Sequence, residues 1–328
     1  MFRQWVKSRI GRFKERMPLP EFLQEWRAVR AGMARHRAQG QEACRYRLRR
    51  NLHRLEKGLM MPGARPVYGA EYIAETVAAY ASLRQGAACE DTRDEMLWAH
   101  NVLRAYFGRV GPNPAVDGAR RLFDSLAGPT PLGEVEVALP FRQKEIGPAP
   151  LSYEQILAAT RHRKSVRWFL PRPVPHAALD QAMAAAIAAP SACNRQAFAF
   201  LIMDAPERVR SVAALLLGVS GFDHQIPVLV AVVGSLRGYE HARDRHLIYV
   251  DGGLAAMNFM LALDALGLAA CPVNWPDRPQ QNRNLAALLG LEDDERAVMF
   301  LAVGYPDPEG MVAHSQRKSL DLLRRYLP

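Results

Sequence analysis

"APSACNRQAFAF", Ala189 to Phe200, sets a knot of polar residues, Cys193-Asn194-Arg195-Gln196, between a small-residue helix end and an alternating apolar run. Polar side chains at the mouth of a buried strand cost free energy unless they meet partners. The stretch alone leaves two readings open: a solvated loop, or a ligand edge read by hydrogen bonds. It also bears on fold class. A helix that ends near Ala189 and a strand that starts at Phe198 put both element types in this half of the chain.

Working outward, a helix is predicted over about 175–189. Short apolar runs bounded by turn residues predict strands at Phe198–Met203, Pro227–Val233, Leu268–Val273 and Val298–Gly304. Helices are predicted over about 152–161 and 252–266, the second behind Asp251 as a suitable N-cap. The order lacks a strict β-α-β alternation, and no G-x-G-x-x-G follows a strand, which excludes a Rossmann nucleotide site. Before residue 130 the pattern is helical only, at about 2–16, 21–37, 41–60, 70–84, 91–107 and 115–127. The Pro/Gly-rich stretch "GPTPLGEVEVALPFRQKEIGPAP" (128–150) reads as a linker. The expected organisation is a basic arm (1–40), a helical region (41–130), a linker (131–150) and a second domain (151–328). The fold class is α+β, a mixed sheet flanked by helices and preceded by an all-helical region.

The chain has 328 residues, enough for a sizeable core without metal or disulfide support. Its four cysteines form no C-x-x-C pair and its nine histidines no H-E-x-x-H, so neither a zinc site nor a disulfide framework is expected. These features, with no signal-type apolar segment and no uninterrupted apolar run near the ~20 residues of a membrane span, lead to the expectation of a cytoplasmic protein. The net charge of +10 is concentrated in residues 1–50, which hold 14 Lys/Arg against 4 Asp/Glu. A basic face within the folded core, as a nucleic-acid-binding domain needs, is therefore not expected. Phe2, Trp5, Val6, Ile10 and Phe13 recur at helical spacing among basic residues. Residues 2–16 are thus expected to form an amphipathic helix that either touches an anionic membrane surface or packs on the helical region. Further along, His53, Arg54, Glu56 and Lys57 precede a Gly-Leu-Met-Met-Pro turn. They read either as groups over a ligand mouth or as a solvated helix end.

"RHRKSVRWF" packs Arg161, Arg163, Lys164, Ser165 and Arg167 just after a helix. In an extended segment alternate residues share a face, so Arg163, Ser165 and Arg167 point one way. Two guanidiniums flanking a hydroxyl make an anion cradle. A solvated charged loop is the alternative.

Together the motifs resemble the nitroreductase family of FMN-dependent oxidoreductases. R-x-S-x-R is followed by A-P-S-x-x-N-x-Q, then "YVDGGLAAMNFMLALDALGLAACPVNW", "FLAVGYPDP" and "SQRKSL", over about residues 152–320. The resemblance implies a nitroreductase-like mixed sheet, FMN as cofactor and NAD(P)H as electron donor. It implies that Arg163 and Ser165, with Lys164 beside them, hold the FMN phosphate, and that Arg167 approaches the pyrimidine end of the isoalloxazine. Asn194 would read the pyrimidine edge, with Gln196 beside it. The segment Pro272-Val273-Asn274-Trp275 would bring backbone N–H groups to flavin N5 and O4, and Arg317 would contact the phosphate. Two departures stand out. Ser315 replaces a lysine frequent in the family, and Trp275 is bulky, either narrowing the substrate space or packing in the core.

The resemblance further implies a homodimer with the flavin at the subunit interface, and neither a catalytic side chain nor a metal. Reduction of a small electron-poor acceptor by a ping-pong route is the leading expectation. A specialised flavin enzyme gated by the N-terminal region (dehydrogenation, dehalogenation or flavin breakdown) is the second. A flavin-binding or inactive scaffold is the third.

Overall fold

The computed structural model describes residues 19–38, 40–63, 65–86, 93–126 and 139–327. The helix expected at 2–16, its membrane contact and the first part of the linker lie outside these residues.

Among the described residues five helices come first: α1 (Leu19–Arg37), α2 (Gln41–Met60), α3 (Ile73–Gly86), α4 (Arg93–Arg109) and α5 (Pro114–Leu126). Helices α2 to α5 close around one core. Leu48, Leu52 and Leu55 recur at helical spacing on α2 and are fully buried with Ile73, Val77 and Tyr106. Helix α1 takes a different partner. Its Ala28 and Val29 pack on Ala197, Leu236, Tyr239 and Ile248 of the following domain. Gly32 allows the approach, because a Cβ there would lie 2.7 Å from the Leu236 carbonyl carbon. The 1–40 arm expected from charge is therefore not separate along its described length: the small residues of α1 form a docking face on the sheet domain.

That domain comprises α6 (Tyr153–His162), α7 (His176–Ile187), β1 (Phe198–Met203), α8 (Pro206–Ala213), β2 (Val228–Ser235), α9 (Leu247–Ala265), β3 (Ala269–Asn274), α10 (Pro279–Leu289), β4 (Glu295–Gly304) and the single turn α11 (Leu320–Leu323). The four strands form an antiparallel sheet in the order β1-β2-β4-β3. Its mixed character is confined to one parallel bridge, Ser165 beside Ala270 on the outer edge of β3. Strand β2 is buried along its whole length, as a central strand covered on both faces must be. Alternate residues supply the two cores. Leu229, Ala231, Val233, Phe300 and Val273 face α8 and α10, while Val230, Val232 and Leu301 face α7 and α9.

Helix α9 begins earlier than the sequence suggests. Asp251, expected as an N-cap at its start, sits inside it and is 2% exposed. The stretch Ala242–Ala265 is long and apolar enough by composition to cross a membrane. Here Ala255, Ala256, Phe259 and Leu263 pack on the sheet core, while Val250 and Leu254 stay exposed.

Candidate functional site

The residues singled out in the sequence fall into two groups. The first lies along the outer edge of β3. The segment Arg163–Arg167 leaves α6 in extended form, and the Val166 N–H donates to the Ala270 carbonyl (3.3 Å). The chain after β4 returns beside it. Leu170 N–H donates to Tyr305 O (2.9 Å) and Asp307 N–H to Trp168 O (3.0 Å). Between the two segments is a cavity of about 320 Å³, lined by Arg161, Arg163, Lys164, Ser165 and Arg167 on one side and His314, Ser315, Gln316 and Arg317 on the other.

No carboxylate lines this cavity. Among the described residues none of its five Lys/Arg side chains is in an ion pair, and Arg163 Nε is buried without a hydrogen-bond partner. A buried donor left unpaired costs about 1–3 kcal/mol, which an anionic oxygen would recover. The donor set fits a phosphate monoester, so Arg163, Lys164, Ser165 and Arg317 are the residues that would hold one, with Arg167 at the same cavity's wall. Ser315, in place of the family's lysine, lines the same cavity, whose cationic character five other side chains maintain. A second cavity of about 320 Å³, between α1 and α10, is lined by both signs, including Arg27, Arg283, Glu292 and Glu295. It lacks the single-sign character of the first.

Strand β3 continues this edge. Pro272 and Asn274 are exposed and Val273 is buried, as the period-two alternation requires. Trp275 is a core residue. It is 6% exposed, packs on Phe300 at 5.5 Å between centroids, and its Nε1 donates to Asn282 Oδ1 (2.7 Å). The indole thus does not narrow the substrate space; Trp275 and Val273 can offer a ligand only backbone.

The second group is the turn before β1. Cys193, Asn194 and Gln196 have φ of 52°, 52° and 53°, left-handed conformations in non-glycine residues. Each costs about 1–2 kcal/mol, so the surroundings must over-determine the turn. Gln196 N–H donates to Ser191 Oγ (3.1 Å) and Gln196 Nε2 to Asn194 Oδ1 (3.2 Å). Ala192 N–H and Tyr239 O–H both donate to Asp251 Oδ2, at 3.0 and 3.1 Å. Burial pushes the Asp251 carboxyl above its ordinary range, and these two donors oppose the shift. Arg195 does not face outward with its neighbours: it is 5% exposed, stacks on Tyr239 at 5.1 Å, and donates to the Ala192 carbonyl (3.1 Å). From the helical region, Arg49 Nε donates to the Asn194 carbonyl (2.9 Å). Asp251, Arg195 and Arg49 hold this turn, a role the sequence reading gave to none of them. For Asp251 the sequence offered a carboxylate in an otherwise apolar run, which reads as an N-cap before Gly252-Gly253.

The two groups sit at opposite corners of the sheet. The register links Phe198 through Gly234 to Arg296, and Ser165 through Ala270 to Val303. Four strand spacings of ~4.8 Å and about seven residues at ~3.3 Å separate these corners by roughly 30 Å. One mononucleotide cannot touch both within a single chain. The His53 cluster, meanwhile, is satisfied locally: His53 pairs with Glu56 (3.5 Å), Trp98 Nε1 donates to Glu56 (2.8 Å), and Arg54 stacks on Tyr72 at 3.6 Å.

Residues 160–220 and 216–305 match the model of the nitroreductase family. This part of the chain is a nitroreductase-family domain. It is similar to iodotyrosine deiodinase 1 of Pongo abelii, 23% identical over 190 residues, which are 48% of this chain and 64% of that protein. The chain thus spans less than two thirds of that relative. It is also similar to an NADH dehydrogenase of Thermus thermophilus, 25% identical over 186 residues, 48% of this chain and 89% of that protein. Among solved structures, one from Desulfovibrio desulfuricans, assigned to the nitroreductases and in complex with FMN, is 24% identical with a TM-score of 0.46, covering 54% of this chain and 99% of that one. The nitroreductase domain therefore accounts for about half of the chain, and the α1–α5 region precedes it.

Proposed function

We propose that the chain is an FMN-dependent oxidoreductase that takes electrons from NAD(P)H and passes them to a small electron-poor acceptor. The observation that carries this reading is the acid-free cationic cavity, with Arg163 Nε buried and unpaired, inside a nitroreductase-family domain. Bound FMN supplies the hydride chemistry. Arg163, Lys164, Ser165 and Arg317 bind its phosphate, and Arg167 places a fixed positive charge along the edge of β3 beside Pro272 and Asn274. A fixed cation near a ring that gains negative charge on reduction favours the reduced form.

The working unit is a homodimer. Asn194 and Gln196 lie at the corner opposite the cavity, so a flavin that meets both groups is shared by two copies. In support, α6 has no buried residue and exposes Tyr153 and Ile156, and the tail exposes Leu322, Leu323 and Tyr326. In water such apolar surfaces favour a partner. The reading places the enzyme in the cytoplasm.

The test is the purified chain. It should carry or take up one FMN per subunit, lose its visible flavin absorbance with NADH or NADPH, and regain it with an acceptor. A chain that takes up no FMN from excess ends the reading. Similarity to iodotyrosine deiodinase 1 favours a second reading, reductive dehalogenation. Iodotyrosine as the acceptor separates the two: release of iodide with restored flavin absorbance supports the second.

A further inference from the structure

We infer that Arg49, from the helical region outside the nitroreductase domain, is a positioning residue that holds the Asn194 turn in its ligand-facing conformation. The inference rests on the flavin reading for the nature of the ligand, but its geometry is independent of it. Residue 194 has its φ in the left-handed region, so the orientation of its carbonyl decides where Asn194 and Gln196 point. That carbonyl accepts from Arg49 Nε at 2.9 Å. The other end of the guanidinium is already committed: Arg49 Nη1 donates to Glu95 Oε1 at 2.7 Å, and the group lies over the Trp98 ring at 5.4 Å. Glu95 also pairs with Arg45 at 3.0 Å. The Arg49 side chain is 16% exposed and Glu95 12%, so the pair is shielded from solvent screening.

The planar fork suits this task. One nitrogen addresses the turn and another the carboxylate, in a geometry that a lysine ammonium can satisfy at one end only. The helical region is thus coupled to the nitroreductase domain at the residue that the family motif assigns to the ligand. A neighbouring contact provides a control. Arg50 Nη1 donates to Glu240 at 2.9 Å, tying α2 to the same domain without touching the turn.

The test compares Arg49→Met, Arg49→Lys and Arg50→Met in the full-length protein. Hydrogen exchange of residues 193–197 is measured with and without FMN, and FMN affinity and visible spectrum are measured on the deflavinated chain. Arg49→Met should speed exchange in the turn by at least tenfold, with β2 amides unchanged. It should also weaken FMN binding by at least tenfold and alter the flavin band. Arg49→Lys should recover part of each effect, and Arg50→Met should leave the turn as in the unmodified chain. Unchanged exchange in Arg49→Met, equal acceleration in Arg50→Met, or a loosened turn with unchanged FMN affinity and spectrum would each overturn the inference. Should the unmodified chain bind no FMN, the proposed function fails while the exchange comparison still decides the role of Arg49.

Discussion

The cavity beside Ser165 and the turn at Asn194 are built in opposite ways. Two extended segments side by side make the cavity. Its lining groups come from residues 160–167 and 313–317, and among the described residues its charges meet no counter-ion. The turn draws on α1, α2 and α9 as well as its own residues: Arg49 holds the Asn194 carbonyl, Asp251 accepts from the Ala192 N–H, and Ser191 and Asn194 hold Gln196 from within. A cradle for a charge can be left half-exposed, because its ligand completes it. A turn in a disfavoured backbone conformation has to be completed by the protein itself.

The largest expected effect tests whether the turn depends on docking of the helical region. Arg237 is 8% exposed and donates to the fully buried Asp294 through Nε (2.8 Å) and Nη2 (2.5 Å), and to Glu42 of α2 (2.7 Å). Arg237→Ala leaves the buried Asp294 carboxylate with only the Arg35 guanidinium (3.3 Å) and the residue-237 N–H (3.1 Å), and should lower stability by about 3 kcal/mol, the low end for breaking a buried pair. Denaturant unfolding reads the loss, and exchange at 193–197 should rise with it. A destabilised protein with an unchanged turn would break the comparison.

The next effect belongs to the cavity alone. Arg163→Ala should weaken FMN binding by about 1.5–3 kcal/mol, the range for hydrogen bonds to charged groups, while the unfolding midpoint stays put. Isothermal titration with FMN gives the first quantity and a denaturant melt the second. Retained affinity would show that the cavity is a solvated charged cleft.

Strain in the turn can be relieved directly. Cys193 has φ of 52° and its side chain is not among the groups that hold the turn. Cys193→Gly should raise stability by about 1 kcal/mol if that conformation is disfavoured as described. A fall in the denaturant midpoint would mean that the side chain contributes packing that outweighs the backbone term.

The smallest expected effect is a pH dependence of α1 docking. His36 is 3% exposed, with Nδ1 2.8 Å from the Arg237 carbonyl. Burial, the largest cause, holds its pKa below the ordinary 6.5; the Arg237 carbonyl opposes and Arg47 adds to the shift. The folded state therefore resists protonation more than the unfolded chain does. The contribution is present above pH 6.5 and is lost as pH falls through the depressed folded value. Stability of the unmodified chain should decline over that window more steeply than that of His36→Gln. Parallel curves would remove His36 as the cause.

Much of the sheet domain was legible because its signals are local. The strand Phe198–Met203 coincides with its apolar run, and the R-x-S-x-R spacing describes an extended segment whose face needs only period-two alternation. The Trp275 alternatives could not be resolved from the sequence, because a bulky aromatic after a strand points to the core or away from it according to register alone. Asp251 looked like an N-cap because a carboxylate before Gly-Gly is a helix-start signal; its actual partners, Ala192 and Tyr239, come from other segments.

The sequence by itself determined the element types, the split between a helical first half and a mixed second half, and the spacing that groups Arg163, Ser165 and Arg167. Each depends on neighbours within a turn or a strand, where spacing translates directly into shared faces. Tertiary structure alone decided that the cradle and the Asn194 turn lie at opposite corners of the sheet, that α1 docks on the sheet domain, and that Arg49 reaches the Asn194 carbonyl from 145 positions away. Those facts follow from sheet register and from the packing of distant apolar faces, which no local pattern encodes.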